Sequence, residues 1–321
     1  ADLLTEQGYN VVTVKEQMIP DPYFSTLKSP NPEEASAFEY AIKLGKEENA
    51  DILIATDPDA DRMGIAALDE NGEYLLLTGN QTGAILLNYL AKYKAHGPKV
   101  NVYNTIVTSN ISKAICEKFG LKLVQTLTGF KFIGEQAERM EHDGGEYVYG
   151  YEESYGYLLS SICRDKDALQ ATTIILEMAL YYKNKGMTLK QVLNRIYDEY
   201  GYHYDKVESL SLKGSDGLAK IQEIMRTLRA KDIPSLAGNK VATKEDYLEQ
   251  VSITDGVKSP ITLPKSNVLR FVFEDGSFVA IRPSGTEPKV KFYFAVCGNT
   301  QQEAQARHDK IKQAILDYIK E

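Results

Sequence analysis

The sequence predicts an α/β chain in which mixed α/β sheet precedes a C-terminal antiparallel α+β domain. Three observations carry this reading. Helix and strand patterns alternate from the first residues to about residue 200, the rhythm of mixed or parallel sheets covered on their faces. Beyond that point strands run together with helices to one side, as in an antiparallel α+β domain. The length of 321 residues suits two or three domains, and an apolar content of 43% supplies their cores.

In order, residues 1–7 are helix-like and residues 11–14 read as strand. An amphipathic helix is expected over 33–48, starting after Pro32, because proline is favoured at the first turn. The apolar run 52–55 reads as a buried strand. Residues 81–93 read as helix, with Ile85, Leu86, Tyr89 and Leu90 at helical spacing. Strands at 100–107, 121–125 and 147–149 then alternate with helices at 113–119, 132–141 and 169–182, and a helix over 191–200 closes this part. Thr108-Ser109-Asn110 suits an N-terminal cap for the helix after it. Residues 201–213 are the expected linker zone. Strands at 206–212 and 267–273 flank a helix at 218–230; strands at 278–281 and 290–296 and a helix at 300–319 end the chain. Neither internal repeats nor low-complexity tracts interrupt it.

Composition narrows the partners. A net charge of −8 and a pI near 5.3 argue against nucleic acid. No signal-peptide pattern or apolar stretch of about 18 residues points to a membrane. Cys116, Cys163 and Cys297 form no C-x-x-C pair, which suits unpaired thiols in a reducing cytoplasm. His96, His142, His203 and His308 lie outside every motif and are expected on the surface or in packing. The tyrosines at 147, 149, 151, 155 and 157 alternate as packing residues do.

The chemistry concentrates in loops. Asp57-Pro58-Asp59-Ala60-Asp61-Arg62 follows the apolar run directly. Three anions this close repel one another unless a cation sits among them, and hard oxygen ligands suit Mg²⁺. Asp57, Asp59 and Asp61 are therefore candidate metal ligands, with Arg62 placed to reach an anionic substrate group; a solvated turn is the plain alternative. An EF-hand needs Gly and Glu at its sixth and twelfth positions, and here those hold Arg62 and Leu68. A phosphatase motif of the D-x-D-x-[TV] kind fails at its fifth position, Asp61, or Met63 if counted from Asp59. Gly150-Tyr151-Glu152-Glu153-Ser154-Tyr155-Gly156 places carboxylates and a hydroxyl between glycines. Carboxylates accept from vicinal sugar hydroxyls and Ser donates or accepts, although a polar turn also fits. Arg282-Pro283-Ser284-Gly285-Thr286-Glu287-Pro288-Lys289 offers a guanidinium, two hydroxyls and a glycine beside backbone N–H groups. That is the inventory of a phosphate cradle on a hairpin turn.

Together these loops resemble those of the α-D-phosphohexomutase superfamily, the phosphoglucomutases and phosphomannomutases. The first resembles D-G-D-G-D-R, with Pro58 and Ala60 in place of glycines. The second resembles G-E-E-S, with Tyr151 inserted. The third resembles R-x-S-G-T at Arg282, Ser284, Gly285 and Thr286. Thr128-Gly129-Phe130-Lys131 resembles a fourth loop, T-G-[WF]-K. Their order and spacing match over essentially the whole chain.

The resemblance implies an isomerase, a Mg²⁺-dependent intramolecular phosphotransferase that moves phosphate between C1 and C6 of a hexose phosphate through a phosphoserine. Asp57, Asp59 and Asp61 are the implied metal ligands, and Arg62 and Lys131 the implied catalytic cations. Glu152 and Ser154 are implied to hold the sugar, and Arg282, Ser284, Gly285, Thr286 and Lys289 the remote phosphate. The implied domains are 1–72 (second, incomplete, metal loop), 73–200 (third, sugar loop) and 201–321 (fourth, phosphate loop). The family's T-A-S-H-N-P serine segment has no match; Ser29-Pro30-Asn31-Pro32 and Thr108-Ser109-Asn110 both lack the histidine. The expectation is a cytoplasmic C-terminal fragment, inactive alone, whose partners are a phosphosugar and the missing N-terminal domain. Glucose, mannose and pentose phosphates remain open as substrates. A non-catalytic phosphosugar-binding protein and an aspartyl phosphatase remain the other classes.

Overall fold

The computed structural model describes residues 1–95, 97–212, 216–284 and 288–320. The chain divides into two compact units, Ala1–Thr105 with Ser112–Glu199, and Ile106–Ile111 with Tyr200–Glu321. Among the described residues no helix is long and apolar enough to cross a membrane.

The first unit opens with α1 (Asp2–Glu6). Residues 11–14 form no strand, contrary to expectation. Val14 is extended, but an extended segment becomes a strand only when a neighbouring backbone takes its hydrogen bonds, and none of the described strands pairs there. The helix expected over 33–48 begins late. Asn31 Oδ1 accepts the Glu33 N–H at 3.1 Å, an Asx turn that competes with the first helical turn. A 3₁₀ turn over Ala35–Phe38 then leads into α2 (Glu39–Glu48). The buried Phe38 packs with Leu53 and Ala66, fastening this segment to the sheet β1 (Ile52–Thr56), β2 (Met63–Leu68) and β3 (Tyr74–Leu77). That sheet is antiparallel, with Thr56 opposite Met63. The acidic loop is therefore the closed end of a hairpin.

The unit continues with α3 (Gly79–Tyr93), β4 (Val100–Thr105), α4 (Ile111–Phe119), β5 (Lys122–Thr126) and α5 (Phe130–His142). Then come β6 (Glu146–Tyr151), β7 (Tyr157–Leu158), α6 (Ala168–Lys183) and α7 (Leu189–Tyr200). Thr78 and Gln81 close a capping box at the start of α3. The sheet order is β5-β4-β6-β7, parallel except for β7. All of β4 is buried, as a central strand covered on both faces must be. Tyr149 and Tyr151 are fully buried with rings stacked 5.0 Å apart, so these tyrosines pack as the alternation predicts.

The second unit is antiparallel, as expected. β8 (Tyr202–Ser211) precedes α8 (Gly217–Ala230), β9 (Ser235–Leu236), β10 (Asn239–Asp246), β11 (Val251–Thr254) and β12 (Val257–Pro260). β13 (Leu269–Phe273), β14 (Phe278–Pro283), β15 (Lys289–Gly298) and α9 (Gln301–Lys320) follow. The order is β12-β11-β10-β13-β14-β15-β8, with β9 on β10. The expected linker zone is instead mostly strand: β8 pairs with β15 from Tyr202 to Ser211. Ile221, Met225 and Leu228 of α8 and Ile311 and Ile315 of α9 share one core with Phe271, Ile281 and Phe292 of the sheet.

His203 and His308 are buried, packing residues as expected, and His96 lies outside the described residues. Burial pushes the His203 imidazole down to about 4, and pushes the Asp205 carboxyl up to about 7 against a Ser109 hydrogen bond. The two groups drive stability in opposite directions. His203 stabilises the fold while neutral, a contribution lost as pH falls from about 6.5 towards 4. Asp205 favours the fold while protonated, a contribution lost as pH rises through about 7. Asp205→Asn is thus expected to make the melting temperature fall more steeply than in the parent between pH 7 and pH 5, and His203→Gln to reverse the trend. Parallel curves for both variants and the parent would refute this assignment.

Candidate functional site

Asp57 builds the acidic loop from within. Its Oδ1 accepts the N–H groups of Asp61 at 3.1 Å and Arg62 at 2.9 Å. Its carbonyl accepts the Ala60 N–H at 3.1 Å. Ala60 sits in the left-handed region at φ 56°, where glycine is at ease, which accounts physically for the glycine of the resembling motif. The turn brings one oxygen each of Asp57, Asp59 and Asp61 within 4.8 Å of one another. Burial, with the Asp61 and Asp59 charges, holds the Asp57 carboxyl above its ordinary range despite the Arg62 N–H bond. Such a donor set fits a small dication with hard oxygen ligands.

The glutamate loop joins β6 to β7. Glu152 is buried, and its Oε1 accepts the Gly129 N–H at 2.8 Å. This bond ties the loop to residues 128–131 at the start of α5. Burial pushes the Glu152 carboxyl up, against the Gly129 N–H and the charges of Lys166 and Arg62. Glu153 Oε2 accepts the Thr105 hydroxyl at 3.2 Å, and its carbonyl lies so close to Gly79 that a side chain there would collide with it. Ser154 is partly exposed. The acidic hairpin is tied to the glutamate loop, where Met63 N–H donates to the Tyr155 carbonyl at 3.0 Å, and to the start of α6, where Ala168 N–H donates to the Ala60 carbonyl at 3.0 Å. Arg62 forms a β-bridge with Gly156.

The ammonium among these carboxylates is Lys166, which sequence reasoning passed over. Its Nζ lies 2.8 Å from Asp61 Oδ2 and 3.4 Å from Asp165 Oδ1. Burial works against its charge, but the Asp61 hydrogen bond and the charges of Asp165, Asp61 and Glu152 outweigh it and hold its pKa above the ordinary value. In Arg164-Asp165-Lys166-Asp167 it reads as a solvated charge run. Only the adjoining helix cap hints at order: Asp167 Oδ1 accepts from Leu169 and Gln170 at the start of α6. Lys131 is exposed, its ammonium 5.0 Å from the Phe132 ring centroid. Arg62 Nη1 lies 3.1 Å from Glu33 Oε1, and its Nε 3.7 Å from Asp57 and 3.8 Å from Asp61.

In the second unit, Arg282, next to last in β14, stands opposite Lys291 of β15. The Ser284 N–H donates to the Lys289 carbonyl at 2.8 Å. Arg282, Ser284 and Lys289 are all partly exposed around this turn. Gly285 and Thr286 lie outside the described residues.

Three family models match the chain. They are phosphoglucomutase/phosphomannomutase alpha/beta/alpha domain II over residues 1–72, domain III over 78–200, and the C-terminal domain over 219–313. A phosphoglucomutase of Staphylococcus aureus strain bovine RF122 / ET3-1 is 40% identical over 308 residues, 95% of this chain and 55% of the relative. The strain USA300 phosphoglucomutase gives the same identity and coverage. The chain thus spans about half the length of the curated relatives it matches. Among solved structures, the open form of the Paramecium phosphoglucomutase parafusin superposes with a TM-score of 0.63 at 24% identity. It covers 91% of this chain and 50% of that one. A phosphoglucomutase/phosphomannomutase family protein from Burkholderia thailandensis superposes at 0.58 with 14% identity, covering 90% and 51%. These two likenesses speak for the fold.

Proposed function

The chain belongs to the phosphoglucomutase/phosphomannomutase family, and from that premise we propose that it carries the metal, sugar and remote-phosphate loops of a phosphosugar mutase. The observation that carries this is the joined pair of loops in the first unit. Three carboxylates lie within 4.8 Å of one another, beside a buried glutamate, an arginine and a lysine. On this reading the chain divides at residues 72 and 200, and the phosphoserine belongs to a part of the protein outside these 321 residues.

Asp57, Asp59 and Asp61 would hold Mg²⁺. Bound there, it would supply charge neutralisation and electron withdrawal at the transferring phosphoryl group. The residues supply the rest. Arg62 orients a phosphoryl oxygen through its guanidinium. Lys166, held charged beside Asp61, donates a proton to the sugar oxygen as that oxygen leaves phosphorus, or balances negative charge built up there. Lys131 remains the second candidate for that work. Glu152 and Ser154 hold the sugar hydroxyls, and Arg282, Ser284, Gly285, Thr286 and Lys289 hold the phosphate that is not reacting. The bisphosphate intermediate then turns end for end and returns its other phosphate to serine. A reducing, cytoplasmic setting suits the three free thiols.

The curated relatives are named phosphoglucomutase, which favours glucose phosphates over mannose or pentose phosphates. A coupled assay of the full-length protein on all three classes tests the reading. Turnover of glucose 1-phosphate is expected, and turnover of none of them overturns it. Arg282→Ala is expected to weaken phosphosugar binding about 10- to 150-fold, the worth of a charge-assisted hydrogen bond. Calorimetry with and without the sugar's phosphate checks this. An equal loss for the unphosphorylated sugar would instead mean damage to the domain.

A further inference from the structure

Glu33 ends the run Pro30-Asn31-Pro32-Glu33 and has no assigned role in the site, yet its carboxylate makes the closest ion pair of Arg62. The separation is 3.1 Å, against 3.7 Å to Asp57 and 3.8 Å to Asp61. The segment that carries it is anchored. The Glu33 N–H is held by Asn31 Oδ1 at 3.1 Å, and the Glu34 N–H by the Asn31 carbonyl at 3.0 Å. Pro32 is buried and its carbonyl packs against Gly64 of β2 so closely that a side chain on Gly64 would meet it at 2.8 Å. Glu33 is thus fixed relative to the hairpin that ends in the acidic loop. About a third of each side chain of the Glu33–Arg62 pair is exposed. Pairs of this kind add little to stability, roughly 0–1 kcal/mol, so stability is a poor account of the arrangement.

Geometry offers a better one. Arg62 directly follows Asp61 and faces two carboxylates that would serve as cation ligands. A guanidinium forms bidentate bonds with a carboxylate readily, so an unrestrained Arg62 would close onto Asp57 or Asp61 and compete with the cation. Here its Nη1 is drawn to Glu33 instead, and its Nε stays beyond hydrogen-bond distance of both. We propose that Glu33 is a positioning residue, a counter-carboxylate that draws Arg62 off the acidic loop and so leaves Asp57 and Asp61 to the cation. This inference rests on the metal assignment above.

The test is Mn²⁺ binding to this 321-residue chain by electron paramagnetic resonance, with Mg²⁺ as competitor and no substrate. Glu33→Gln keeps the side chain's size and removes its charge. It is expected to weaken Mn²⁺ binding about 3- to 10-fold, between the worth of an exposed ion pair and that of a charge-assisted hydrogen bond. The same substitution in an Arg62→Gln background is expected to change affinity less than twofold, because the effect runs through Arg62. Glu33→Asp is expected to recover part of the affinity. If the parent chain shows no saturable Mn²⁺ binding, the metal assignment fails and this inference with it. If the parent binds and Glu33→Gln binds equally well, the inference alone fails. An undiminished loss in the Arg62→Gln background also overturns it, since Glu33 would then act as a bare charge. Thermal unfolding of each variant without metal separates these results from misfolding.

Discussion

Asp59→Ala is expected to lower mutase turnover of the full-length protein by about 10³-fold or more, the several kcal/mol that a bound dication contributes to phosphoryl transfer. Asp59 is the informative member of the three. Asp57 accepts two backbone N–H groups and holds the turn, and Asp61 pairs with Lys166 at 2.8 Å. Replacing either would confuse loss of a ligand with loss of the loop. Asp59 is exposed, and its charge adds to the repulsion that raises the Asp57 carboxyl. Its removal should leave the metal-free fold at least as stable as the parent. The measurements are turnover across Mg²⁺ concentrations and the melting temperature without metal. Activity that survives at ordinary Mg²⁺ would show that the acidic loop is not the metal site.

Lys166→Gln is expected to lower kcat by about 10²- to 10⁴-fold, the range for a group that moves a proton in the transition state, with KM changed far less. Lys166 Nζ is held by Asp61 and Asp165, and the alkyl stem packs on Gly156 of the glutamate loop. The ammonium therefore has a defined position between two loops, which positioned catalysis needs. Lys131→Gln is the matched control, since that side chain is exposed beside the Phe132 ring. A large loss for Lys131→Gln and none for Lys166→Gln would reverse the two roles.

The loops were legible because their chemistry is local. An Asp-x-Asp-x-Asp run, paired glutamates between glycines and an Arg-x-Ser-Gly-Thr turn each crowd their donors within a few residues. Long helices were legible from period: the reading of 81–93 meets α3 at Gly79–Tyr93. The strands of residues 235–260 were missed because they lack an apolar period; β11 is only partly buried and β12 is exposed throughout. Residues 11–14 were misread because an apolar run promises a strand but cannot supply its partner. The strand read at 206–212 starts earlier than its sequence suggests, inside the supposed linker at 201–213, because Tyr202–Asp205 become strand only where β15 pairs beside them.

The sequence by itself determined the family, the change from mixed to antiparallel sheet, and where the acidic, glutamate and Arg-x-Ser-Gly-Thr runs lie along the chain. Tertiary structure alone decided which charges stand next to one another. Glu33 reaches Arg62 across 29 positions, Lys166 reaches Asp61 across 105 (166 − 61), and Gly129 and Glu152 meet across 23. Period and spacing report which face of its own element a residue shares. Electrostatic partnership falls off over a few ångströms, and so depends on how separate elements are brought together, which a hairpin, a buried proline and a strand bridge settle here.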